Sequence, residues 1–137
     1  GRLASLSDAM GRMTAYTYTD NGLLATVTRS SGGSSFTVRS VLHDAAGNII
    51  QDTTNNGATV TTSVVDAADR PTSSTFDPSG LNRTRSYEYD GDDNVTKLTL
   101  TDGKTGSRTT TSTYDANGGV LQESVTGSVD STRTATT

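Results

Sequence analysis

The sequence predicts an all-β fold, an antiparallel array of about twelve short strands joined by tight turns. Three observations carry that expectation. Turn-like tetrads recur along the 137 residues at spacings of 10–14. Thr, whose branched Cβ favours strands, occurs 27 times, whereas the helix formers Lys and Glu occur twice each. Leu, Ile, Val and Phe together number only 23. So thin an apolar supply suits one stretch of a large sheet surface better than a self-sufficient globule.

The turns set the elements in order. The stronger tetrads begin at Asp8, Thr19, Asp44, Thr54, Asp77 and Asp115, and further ones at Ser30, Asp66, Asp90, Asp102 and Thr126. Asp at the first position of a type I turn accepts hydrogen bonds from amides further along, and Gly at the fourth supplies positive φ. The residues expected to form turns are therefore Asp8, Gly11, Gly22, Asp44, Gly47, Gly57, Asp66, Asp77, Gly80, Asp90, Asp115 and Gly118. Asp69 and Asp93 stand where other copies have Gly, and Asp tolerates left-handed backbone better than most residues. Between turns, residues two apart share a face of the strand. Tyr16 pairs in this way with Tyr18, Phe36 with Val38, Tyr87 with Tyr89, and Leu98 with Leu100. One face is expected to carry Tyr, Leu and Val, and the other Thr, Ser, Arg and Lys.

Charge and composition narrow the function. A net charge of −4 with scattered basic residues disfavours nucleic acid. There is no cysteine for a disulfide or thiolate site, and no apolar run approaches 18 residues, so membrane insertion is not expected. His43 is the only histidine and occupies the place before Asp where other copies carry Tyr or Phe. No Gly-x-Ser-x-Gly elbow occurs. The expectation is no enzyme, no catalytic residue and no cofactor. Asp90, Asp92 and Asp93 offer oxygen ligands to calcium, but their spacing is not that of an EF-hand loop, and a solvated acidic turn is the preferred reading. Asn82-Arg83-Thr84 and Asn94-Val95-Thr96 are formal glycosylation sequons.

The repeated segments resemble the YD repeat of the rearrangement-hotspot (Rhs) and teneurin group, whose pattern is roughly Tyr-x-Tyr-Asp-x-x-Gly-Arg-Leu. Tyr87-Glu88-Tyr89-Asp90 matches its front half and Asp8-Ala9-Met10-Gly11-Arg12-Met13 its back half. Tyr16 to Leu24 carries both, with Thr19 for Asp and Leu23 for Arg. Further copies begin at His43, Val65, Phe76 and Tyr114, so the resemblance spans essentially the whole chain. It implies a β-shell or spiral sheet. In the toxin-complex members such a shell encloses a toxic domain, and other members are wall-associated, secreted or adhesive.

The resulting expectation is one repeat array over residues 1–137, a segment of a longer repeat protein, secreted or at the cell surface, with a structural role. Its partners would be neighbouring repeats and an encapsulated toxin domain. The alternative is a cell-surface or filament-forming module that self-associates as a homo-oligomer through sheet edges, or binds glycan or cell wall through Tyr16, Tyr18, Phe76, Tyr87, Tyr89 and Tyr114. Burial of those rings would favour a shell, and exposure in a groove would favour a ligand. Asp77-Pro78-Ser79-Gly80-Leu81 resembles the Asp-Pro-x-Gly-Leu motif that Rhs proteins associate with aspartyl self-cleavage. Its position in the series favours an ordinary repeat turn.

Overall fold

The computed structural model describes residues 2–103, 106–128 and 133–136, the last four by their strand alone. Twelve strands follow one another. They are β1 (Ser5–Ser7), β2 (Met13–Tyr18), β3 (Leu24–Ser31), β4 (Ser34–His43), β5 (Ile49–Thr54) and β6 (Thr59–Val65), then β7 (Pro71–Phe76), β8 (Arg83–Tyr89), β9 (Val95–Asp102), β10 (Gly106–Tyr114), β11 (Val120–Gly127) and β12 (Arg133–Thr136). The only helical element among the described residues is a 3-10 turn at Asn55–Gly57. The chain divides into two compact units, Gly1–Thr62 and Ser63–Thr137.

Within the first unit β1 to β6 pair antiparallel in chain order. Within the second, β7 to β12 do the same. A chain rich in β-branched Thr and punctuated every dozen residues has little choice but such a meander, because each hairpin closes over a short loop. Thr pairs bond directly across neighbouring strands, with Oγ1 atoms of Thr17 and Thr26 2.6 Å apart and those of Thr75 and Thr84 3.0 Å apart.

Burial is shallow. Val41, at 4% exposure, is the one buried hydrophobic residue among those described. The register in the second unit brings Tyr87, Leu98 and Thr110 to one face, with Arg85, Leu100 and Arg108 alongside. The opposite face carries Ser73, Ser86, Thr99 and Thr109, and the Glu88–Lys97 pair. The Tyr–Leu stripe is therefore present, but Arg83, Arg85 and Arg108 stand on it rather than opposite. Long Arg side chains lay their methylenes along apolar neighbours while keeping the head in water, so the placement is physically unremarkable.

A bulge also separates Phe36 from Val38. Val27 pairs with Arg39 but Thr28 pairs with Thr37, leaving Val38 as the extra residue. The alternation thus carries Phe36 and Arg39, not Phe36 and Val38, to one face. The tetrad expected at Thr126 is likewise displaced: Thr126 and Gly127 are paired strand residues of β11. Most of the turn after it, and Lys104 and Thr105 of the Asp102 turn, lie outside the described residues.

Candidate functional site

The recurrent structure of this chain is a five-residue turn. Asp44 shows it fully. Gly47 N–H donates to the Asp44 carbonyl (3.2 Å) and Asp44 N–H donates to the Asn48 carbonyl (3.0 Å), closing the chain at both ends. The Asp44 Oδ1 accepts from the amides of Ala46 (3.0 Å) and Asn48 (2.9 Å). The same set recurs at Asp8, Asp66, Asp90 and Asp115. At Thr19 the shorter hydroxyl serves only the second amide, that of Leu23 (3.0 Å). The fourth residue is left-handed throughout, with φ of 73° at Gly11, 79° at Gly22, 97° at Gly47 and 79° at Gly118, and 60° and 66° at Asp69 and Asp93.

These contacts favour the charged form of four of the turn carboxylates. The amide of Arg12 lowers the pKa of Asp8 and that of Asn48 lowers Asp44. The side chain of Arg70 lowers Asp66 and that of Asn94 lowers Asp90. The carboxylates are thus committed to their own turns. Among the described residues no three His, Asp or Glu side chains gather around a metal position. Asp90 is bonded to Asp92 N and to Asn94, and Asp93 forms an ion pair with Arg70 (2.6 Å). The calcium grouping at Asp90, Asp92 and Asp93 therefore does not assemble.

Four of these turns, at Thr19, Asp44, Asp90 and Asp115, end in a bulge, while the Asp8 turn does not. Tyr18 pairs with Leu24 and Thr17 with Thr26; His43 pairs with Ile49 and Leu42 with Gln51. Tyr89 with Val95 and Tyr114 with Val120 repeat the arrangement. The residue before the turn is thereby set opposite an aliphatic one. Successive turns of a meander lie at alternate ends of the strands, so Thr19 and Asp44 share one end of the first unit. Asp66, Asp90 and Asp115 share one end of the second.

Neighbouring turns at that end are tied together. Arg70, the fifth residue of one turn, reaches Asp93 of the next and lies 4.6 Å from the centroid of the Tyr89 ring. Arg2 lies 5.6 Å from the Tyr18 ring and covers Gly22, where a Cβ would collide with its guanidinium. Leu23 and Asn94 approach the Cβ-less faces of Gly47 and Gly118 in the same sense. The tyrosine hydroxyls finish the link, donating to carbonyls on the preceding hairpin: Tyr18 to Leu3 (2.9 Å), Tyr89 to Pro71 (2.7 Å) and Tyr114 to Val95 (2.7 Å). Tyr87 stacks on Tyr89 with centroids 6.4 Å apart. All five tyrosines are half-buried, whereas Phe76 is exposed. His43 is too short for the tyrosine bond, and its buried Nδ1 has no hydrogen-bond partner.

At the other end the loops vary. Gly32-Gly33 is a two-residue hairpin loop between paired Ser31 and Ser34, with both φ positive. The turn expected over Thr54–Gly57 is shifted by one: Ala58 N–H donates to the Asn55 carbonyl, and Asn55, Asn56 and Gly57 all take positive φ. The Asp77 loop differs most. Six residues, not five, separate Phe76 from its partner Arg83. Gly80 N–H donates to the Asp77 carbonyl (3.0 Å), but positive φ falls on Asp77 (47°) and Asn82 (49°) rather than on Gly80. The extra residue, Asn82, takes the left-handed step that glycine takes elsewhere, and the Asp77 Oδ2 accepts only from Leu81 N (3.0 Å). An open pocket of about 520 Å³ in the first unit is lined by Leu6, Met13, Arg29 and Phe36, with Ser and Thr neighbours.

A protein-family model of the RHS repeat matches residues 1–34 and 65–105. The chain belongs to the RHS repeat family. Its fold agrees with solved structures. The Tc holotoxin pore of Photorhabdus luminescens superposes with a TM-score of 0.62 at 15% identity. The TcdB2-TccC3-Cdc42 and TcdB2-TccC3-TEV crystal structures give the same TM-score at 16% and 15%. Each covers 99% of this RHS-repeat chain, which spans only 9% of the matched chain. No curated protein sequence matches.

Proposed function

We propose that this RHS-repeat chain is wall material: a stretch of a secreted or cell-surface β-scaffold that encloses a toxin domain, without chemistry of its own. The observation that carries the reading is the commitment of the turn carboxylates and three tyrosine hydroxyls to neighbouring backbone. Groups so engaged stiffen a surface and are not free to act on a substrate. The fold likeness to Tc toxin chains supports the same role. The tyrosines are half-buried and Phe76 is exposed, which meets neither the burial expected of a shell core nor the groove exposure expected of a glycan site. Negative-stain images of the parent particle test the proposal: a hollow body of closed β-wall is expected, and a solid particle or a filament would refute it.

A second reading is self-association. A sheet edge that the parent leaves open would offer unpaired backbone groups to another copy. Aspartyl self-cleavage at Asp77 is the third reading, supported by the motif resemblance of Asp77 to Leu81 and by the distinct six-residue loop. A parent chain that stays intact on prolonged incubation would end it.

A further inference from the structure

Among the described residues of the second unit, two arginines lack an ion-pair partner. Arg70 is paired with Asp66 and Asp93, Arg83 with Asp102, and Lys97 with Glu88. Arg85 and Arg108 have no such partner among the described residues, and both are exposed. Register places them in one row on one face, either side of Leu100. Phe76, 40% exposed, stands on the same face opposite Arg83. The reverse of these strands presents Thr84, Ser86, Thr99, Thr101, Ser107 and Thr109, and its charges, Glu88 and Lys97, are paired with each other. In a chain of net charge −4, a cationic and apolar patch backed by a face of hydroxyls and one internally paired charge couple is a specific arrangement.

The geometry points to this face as a docking surface for an acidic polypeptide segment that carries an apolar side chain between two carboxylates. Two strand spacings separate Arg85 from Arg108, about 10 Å. A polyproline-II segment presents residues i and i+3 on one side about 9 Å apart, so a Glu-x-x-Glu spacing spans the pair. Arg rather than Lys suits this, because a planar guanidinium takes a carboxylate through two parallel hydrogen bonds. Leu100, set between the two guanidinium groups, offers an apolar surface to the methylenes of the two glutamates and to the flank of the segment between them. This inference holds whether or not the parent closes into a shell.

The test is fluorescence polarisation of the 137-residue chain with a labelled peptide of repeated Glu-Leu-Pro. Saturable binding is expected, weakening as salt rises. Arg85→Gln with Arg108→Gln should weaken it about tenfold or more, while Thr111→Asp with Thr113→Asp, which changes net charge equally on the opposite face, should leave it nearly unchanged. Unaltered melting of both variants shows that each is folded. No binding, equal weakening by both variants, or equally tight binding of inorganic polyphosphate would each overturn the proposal, the last two by showing a general charge effect.

Discussion

Replacing Gly118 by alanine separates backbone conformation from space at the fourth turn position. Gly118 has φ +79°, and a Cβ there would meet nothing nearer than the Asn94 Oδ1 at 3.7 Å, an ordinary van der Waals distance. Steric crowding therefore contributes little, and the cost is that of left-handed backbone in a residue with a Cβ, about 1–2 kcal/mol. Each kcal/mol lowers Tm by about 4–8 °C in a domain of 60–100 residues, so Gly118→Ala should melt about 4–16 °C lower. Gly118→Asn should lose less, since Asn enters the left-handed region more readily, and Asp69 and Asp93 already hold this place elsewhere. Gly91→Ala is the control: φ there is not positive and a Cβ meets open space, so stability should hold or rise slightly. Far-UV circular dichroism melts read all three. An alanine variant as stable as the parent, or an asparagine variant less stable than alanine, refutes the argument.

Tyr89→Phe removes the hydroxyl bonded to Pro71 and should cost about 1 kcal/mol, whereas Tyr16→Phe, with no such bond, should be silent in the same urea titration. The depressed carboxyls of Asp8, Asp44, Asp66 and Asp90 stabilise the fold above the ordinary carboxylate pKa. Because folding lowers these values, the unfolded chain takes up protons first, and stability falls as pH drops through the folded pKa values. Urea midpoints should be level near neutrality and decline below about pH 4; a midpoint that rises on acidification contradicts the assignment. Calcium at about 1 mM, enough for a weak extracellular site, should not move Tm, given how Asp90 and Asp93 are engaged.

The strand–turn architecture was legible because Asp and Gly mark turns through local backbone chemistry that needs no tertiary partner. The left-handed role of Asp69 and Asp93 was readable for the same reason. The left-handed fourth residue also allows the bulge that follows four of the turns, but what that bulge does to the alternation stayed hidden. It inserts one residue into the period-two pattern, so Val95 shares a face with Leu98 rather than with Lys97, and the alternation looks patchy in sequence. The ties between turns were equally hidden. Arg70 and Asp93 lie 23 residues apart, and no local rule pairs them. Counting turns also gave half the true period. The spacing of about a dozen residues is one strand, while the contacts repeat from Asp66 to Asp90 to Asp115, every second turn.

That doubled period fixes which lengths of DNA can be gained or lost harmlessly. Duplicating a hairpin within either unit returns the chain to the end it left, and every later Asp turn still meets the one before it. Duplicating or deleting one strand sends all later turns to the opposite end and strands each tyrosine from its carbonyl. Insertions and deletions in such a gene should therefore survive in steps of two strands, and recombination between copies is constrained to that step.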